Sequence, residues 1–136
     1  MPAGLPLDGV EVVAPTYDRE FIANLYRRAD IFILPSRLET WGDVLLEAMA
    51  FGLPCVGVSG EAMDEIIENG KTGFVVPPEN VEALSGAIGQ LIGDKSLRVG
   101  MSRAARRRVE EIFTWDHVVE RMFPLMRQCA ARGEKQ

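Results

Sequence analysis

The chain has 136 residues, enough to bury one ordinary core, and 47% of them are hydrophobic, as in a soluble globular domain. Its formal net charge of −5 argues against a general binder of nucleic acid. No apolar run approaches the ~18 residues needed to span a bilayer, and residues 1–9 lack the basic start and apolar core of a signal peptide.

Residues 1–9 are rich in Pro and Gly and read as a mobile terminus. Residues 10–14 read as a strand. Thr16 or Asp18 caps a helix running to about Arg28, whose Phe21, Ile22, Leu25 and Tyr26 share one stripe at helical spacing. The apolar run at 31–34 reads as a buried strand. A polar loop follows, then a helix from about Asp43 to Phe51, stopped by Gly52-Leu53-Pro54. Residues 55–58 are a third strand, Ser59-Gly60-Glu61 a loop, 63–69 a short helix, and 74–76 a fourth strand closed by Pro77-Pro78.

Asn80 caps a helix with Val81, Leu84, Ile88 and Leu91 on one face. The next helix, 95–112, buries Leu97, Met101, Ala105, Val109 and Ile112, and it carries Arg98, Arg103, Arg106, Arg107 and Arg108. Such a basic stretch, 98–108, suits an acidic partner or peripheral contact with an anionic membrane. A solvated helix face is the favoured reading, because arginine is a good helix former. Thr114 caps the last helix, 115 to about 131, where Pro124 predicts a kink or break near Phe123. Residues 132–136 read as frayed. The lone His117 lies inside that helix and reads as structural. Cys55 and Cys129 are far apart, without metal-like spacing; they fit a reduced, cytoplasmic protein and read as buried fillers. The whole of 1–136 reads as one domain without internal repeats.

The chemistry concentrates between Arg37 and Phe51. Strand, polar loop and helix in that order make half of a parallel βαβ unit, and such folds bind ligands at the carboxyl ends of their strands. The candidate site is Glu39, Thr40, Trp41, Gly42, Asp43, Val44, Leu45 and Glu47. The opening amides of the helix, near Asp43, Val44 and Leu45, have no partners inside it, and with the helix dipole they form an anion site. Gly42 lets a phosphate approach the backbone closely. Glu39 and Glu47, eight positions apart, can accept hydrogen bonds from sugar hydroxyls. The set suits a ligand with hydroxyls at both ends and phosphate between, such as a nucleotide diphospho-sugar. A plainer reading stands beside it: Thr40-x-x-Asp43 is a variant capping box, Asp43 complements the dipole, and Glu47 is a solvated surface residue.

Taken as a whole, the segment resembles the Glu-x7-Glu signature of the retaining glycosyltransferases with a GT-B fold. The resemblance rests on Pro35-Ser36, on Glu39-Thr40-Trp41-Gly42, and on Glu47-Ala48-Met49-Ala50-Phe51-Gly52-Leu53-Pro54-Cys55-Val56. It continues through Glu65-Ile66-Ile67-Glu68-Asn69-Gly70-Lys71-Thr72-Gly73-Phe74-Val75-Val76-Pro77-Pro78 and covers about 10–126. Thr40 stands where the family has glycine, and Asp43 where it has an apolar residue. The fold implied is α/β: a Rossmann-like parallel sheet with flanking helices, part of the C-terminal domain of a GT-B fold. The resemblance also implies that Glu39 meets the donor sugar's hydroxyls, Glu47 the ribose hydroxyls, and the amides of Gly42 to Leu45 the diphosphate. The Ser59-Gly60-Glu61 loop would line the sugar side, and the final helix would bend back to the other domain. No metal or cofactor is implied, the nucleotide diphospho-sugar being the substrate, and no catalytic residue is assigned within this chain.

The same resemblance implies what the chain lacks. An N-terminal acceptor domain has no counterpart here, nor do two strand–helix units that supply an Arg and a Lys to the diphosphate. Between Leu38 and Gly70 there is no Lys or Arg but seven carboxylates, leaving Arg37 and helix amides for a diphosphate. In the sheet order 3-2-1-4-5-6 the absent strands belong between residues 10–14 and 31–34. Either those two strands close up into a four-stranded sheet, or an edge stays open and the chain self-associates. The chain alone is expected to be inactive. The alternative is a non-catalytic module that keeps the fold and binds nucleotide-sugar or a partner.

Overall fold

The computed structural model describes residues 8–60 and 62–133; the expectations for 1–7, Glu61 and 134–136 lie outside them. Helix α1, Arg19–Arg28, starts where the Asp18 carboxylate accepts from the amides of Glu20 and Phe21, both at 3.0 Å. It ends at Ala29, and strand β1 follows at Phe32–Leu34. Helix α2, Asp43–Ala50, returns the chain to strand β2, Cys55–Val58. Helix α3, Ala62–Ile66, and strand β3, Gly73–Val76, complete the sheet.

The sheet is parallel with order β1-β2-β3, so Phe32, Cys55 and Gly73 lie in register. Gly73 is dictated by that pairing: a Cβ there would lie 1.9 Å from the Cys55 carbonyl oxygen. Alternation along β2 then divides the core. Cys55 joins Leu45, Met49, Met63, Ile66 and Ala105 on one face. Val56 joins Val76, Ala87, Leu91 and Met101 on the other. Both faces are covered, as parallel sheets require. Burial pushes the Cys55 thiol up to about 12.

Helix α4, Val81–Gly93, is capped by Asn80, which accepts from Ala83. Val81 is 76% exposed and does not join the Leu84–Ile88–Leu91 face expected for it. Helix α5, Lys95–Ile112, serves both faces of the core through Met101 and Ala105. Two of its arginines clamp neighbouring helix ends, satisfying carbonyls left over at C-termini. Arg98 donates to the carbonyls of Leu91 (2.7 Å) and Ile92 (3.3 Å). Arg108 donates to those of Glu65 (2.7 Å) and Ile66 (2.9 Å). Helix α6, Trp115–Gly133, closes the described chain.

Several expectations are corrected. Residues 10–14 form no strand: they do not pair with the free edge of β1, and Val10 and Val12 stay 56% exposed. The sheet of the described residues has three strands, so closure into four is ruled out and β1 keeps one unpaired edge. Helix α3 stops at Ile66, short of Asn69, because side chains take over the backbone: Thr72 Oγ1 accepts from the Glu68 amide (2.9 Å), and Asn69 Oδ1 from the Val75 amide (3.0 Å). The expected break at Pro124 is absent, since α6 runs through it. Cys129 is exposed, not a buried filler, because it lies on the unburied helix α6.

Candidate functional site

The loop after β1 leads over Pro35 and Ser36, whose Oγ donates to the Leu38 carbonyl (3.1 Å), to a half-buried Glu39 and then to α2. The capping box read from Thr40 and Asp43 does not form. The N-cap is Gly42, in the left-handed region at φ 77°, and no side chain bonds to the helix amides there. A Cβ at Gly42 would also meet Leu45 Cδ1 at 3.2 Å. This turn, which glycine adopts without strain, aims the start of α2 at the carboxyl end of the sheet. The Leu45 amide is already bonded to the Gly42 carbonyl (2.8 Å). The amides of Asp43 and Val44 have no acceptor among the described residues, so of the three amides expected to be open to an anion two remain so.

Asp43 and Val44 are exposed, and Leu45 is fully buried beneath them. Trp41 is 43% exposed and packs edge-on against Phe113 at 6.5 Å. Arg108 stacks over the far ring at 5.6 Å, which ties the loop to α5. Arg37, the cation nearest in sequence, is engaged with Glu79 at 3.2 Å. Both of those side chains are well exposed, so the pair is weak and can be displaced.

Glu47 lies in a groove of about 520 Å³ between α1 and α2, lined also by Arg19, Ile22, Ala23 and Tyr26. The Tyr26 hydroxyl donates to Glu47 Oε2 at 3.0 Å. Burial first, and then that bond to Glu47, push the Tyr26 pKa upward, so the phenol stays protonated and donating. The sequence placed Tyr26 only on the apolar stripe of α1; its partner across 21 residues left no local signal. A second such residue is Asp64. Its Oδ2 accepts from the Gly60 amide (2.7 Å) and Ser59 Oγ (3.3 Å), fastening the loop at the carboxyl end of β2.

The structure therefore gathers Glu39 to Leu45 at the mouth of α2 and sets Glu47 one turn in, in the groove beside Tyr26. Glu39 does not line that groove. Another hollow, about 380 Å³ with Arg27, Asp30, Lys95 and Arg98, lies at the amino ends of the strands beside Phe51, Gly52 and Leu53, and Glu39 to Glu47 do not line it. His117 serves the start of α6, its Nδ1 lying 2.7 Å from Thr114 Oγ1. Among the described residues no group of three His, Cys, Asp or Glu is placed to hold a metal. No helix among them is long and apolar enough to cross a membrane.

The fold is similar to the C-terminal domains of GT-B glycosyltransferases. It matches sucrose-phosphate synthase from Thermosynechococcus elongatus with a TM-score of 0.74 and 31% identity, over 83% of this chain and 28% of that one. HepE from Anabaena, solved in complex with UDP, shares the fold with a TM-score of 0.74 at 23% identity, over 81% of this chain and 30% of that one. In sequence the chain is 33% identical to a D-inositol 3-phosphate glycosyltransferase of Jonesia denitrificans over 108 residues, 79% of this chain and 25% of that protein. The chain thus spans about a quarter of the length of such relatives. Residues 6–108 match the family described as glycosyl transferases group 1, and the chain belongs to that family.

Proposed function

We propose that this chain is the donor-binding part of a retaining glycosyltransferase, taking a nucleotide diphospho-sugar. The observation that carries the reading is the left-handed turn at Gly42, which opens α2 onto the carboxyl end of the sheet and frees the amides of Asp43 and Val44. An anion bound there gains charge-assisted hydrogen bonds and the helix dipole. Glu39 before the turn accepts from sugar hydroxyls and Glu47 after it from ribose hydroxyls, because a carboxylate repels phosphate but accepts from two hydroxyls. Support for the nucleotide comes from HepE, a protein of the same fold that was solved with UDP. The acceptor and the remaining phosphate contacts belong to segments outside this chain, so the chain alone transfers no sugar.

The test is an NMR titration of the chain with UDP, GDP and ADP, which reads affinities into the millimolar range. Shifts should concentrate on the amides of Gly42 to Val44. A charged hydrogen bond is worth about 1.5–3 kcal/mol, so Glu47→Gln should weaken the best nucleotide by roughly tenfold or more. Unchanged affinity in Glu47→Gln removes that residue from the site.

A further inference from the structure

Glu47 is an exposed residue on the surface of α2, and its position alone does not fix where its carboxylate points. A long flexible carboxylate on a helix surface samples several rotamers, and binding must then select one. Here one oxygen is already engaged: Tyr26, 21 residues earlier, donates its hydroxyl to Oε2 at 3.0 Å. The phenol is itself held. Its ring stacks on Phe51 at 5.3 Å and 22°, and is tilted against Phe32 of β1 at 5.9 Å. Phe51 lies under the Arg27 guanidinium at 5.7 Å. The chain of contacts runs from the sheet, through two aromatic rings, to one carboxylate oxygen. It ends in the groove of about 520 Å³ between α1 and α2.

From this geometry we infer that Tyr26 is a positioning residue for Glu47, fixing its carboxylate so that Oε1 faces ligand hydroxyls in the α1–α2 groove. The inference rests on the donor-site reading. A carboxylate oxygen accepts two hydrogen bonds, so the phenol leaves Oε1 and one lone pair of Oε2 for a vicinal diol. A phenylalanine in this position would keep the stacking and lose only the orientation. The raised pKa of Tyr26 keeps the donor protonated across the neutral range. A competing account is that the bond only fastens α1 to α2.

Two measurements separate these accounts. In the ligand-free chain, three-bond NMR couplings along the Glu47 side chain should report one rotamer, and averaged rotamers in Tyr26→Phe. Averaged couplings in the unaltered chain overturn the inference without any variant. The second is the NMR titration with UDP, GDP and ADP and with the 2′,3′-dideoxy analogue of the best binder. Losing the orientation that the Tyr26 bond imposes on the carboxylate should weaken the ribonucleotide by roughly three- to tenfold in Tyr26→Phe and leave the dideoxy analogue nearly unchanged. Tyr26→Phe on top of Glu47→Gln should add little, since the two act through one carboxylate. If Tyr26→Phe lowers the melting temperature while couplings and affinity stay put, the bond is only a fastener. If Glu47→Gln weakens binding and Tyr26→Phe does not, the inference fails and the donor site stands. If the unaltered chain binds none of the three nucleotides, the donor-site reading fails and takes the inference with it.

Discussion

Gly42 is where a single residue decides both fold and site. At φ 77° an L-side chain costs about 1–2 kcal/mol in backbone strain alone. An added Cβ would also press on Leu45 Cδ1 at 3.2 Å, and Leu45 is fully buried in the core. Gly42→Ala should therefore lower stability by about 1–3 kcal/mol, read by urea unfolding, and lower nucleotide affinity as the amides of Asp43 and Val44 turn away. Retained stability in Gly42→Ala would mean that the turn is not what starts α2. Asp43 works against the site: it favours the helix dipole but sits beside the amides that a phosphate would need. With Arg37 occupied by Glu79, the described residues leave the diphosphate reading to the two amides and to whatever cations lie outside the chain.

At the scale of elements, α5 shows how a charged stretch can be structural. Of its five arginines, Arg98 and Arg108 close the carbonyl ends of α4 and α3, and Arg106 pairs with Glu110 one turn on at 2.9 Å. Arg103 and Arg107 are exposed and are the ones left to meet an anionic surface. Arg108→Ala removes two charge-assisted bonds and the 3.5 Å contact with Glu68, from a side chain only 22% exposed. It should cost about 1.5–3 kcal/mol in denaturant unfolding, against less than about 0.5 for Arg103→Ala. Equal small effects would return α5 to a merely solvated face. The same elements show what sequence can and cannot carry. Periodicity and caps located α1, α2, α4 and α5 closely, because Asp18, Asn80 and the Gly52-Leu53-Pro54 stop act within a turn of where they stand. Residues 10–14 have a strand's pattern but form no strand, because a period-two pattern does not by itself fix pairing with a partner distant in sequence, here the open edge of β1. In the candidate site, the run from Glu39 to Glu47 can be picked out because it is contiguous. Tyr26 and Asp64 cannot be, because their roles exist only after α1 meets α2 and α3 folds back on the β2 loop. The Thr40–Asp43 box fails for a related reason: Gly42, with its left-handed backbone, starts the helix without a side-chain cap.

At the scale of the whole molecule, the chain spans about a quarter of the length of the relatives it matches, and its described residues leave apolar and unpaired surfaces exposed. Two of them are expected to promote association. One is the free edge of β1, three residues long. The other is α6, where Val119, Met122, Phe123, Leu125 and Met126 are each at least half exposed. A three-residue edge offers at most about three hydrogen bonds, worth about 0.5–1.5 kcal/mol each. Burying on the order of 300 Å² of apolar surface at ~25 cal/mol per Å² is worth about 7 kcal/mol. The helix should therefore dominate, and the edge should set the geometry of what it starts. Light scattering over a concentration series should show the chain growing beyond a monomer at tens of micromolar. Phe123→Lys with Met126→Lys should shift that onset to much higher concentration without changing the unfolding midpoint, because neither side chain is packed in the core. A chain that scatters as a monomer throughout would mean that α6 folds back over its own apolar face in solution. Association untouched by the double lysine variant would hand the leading role to the edge of β1.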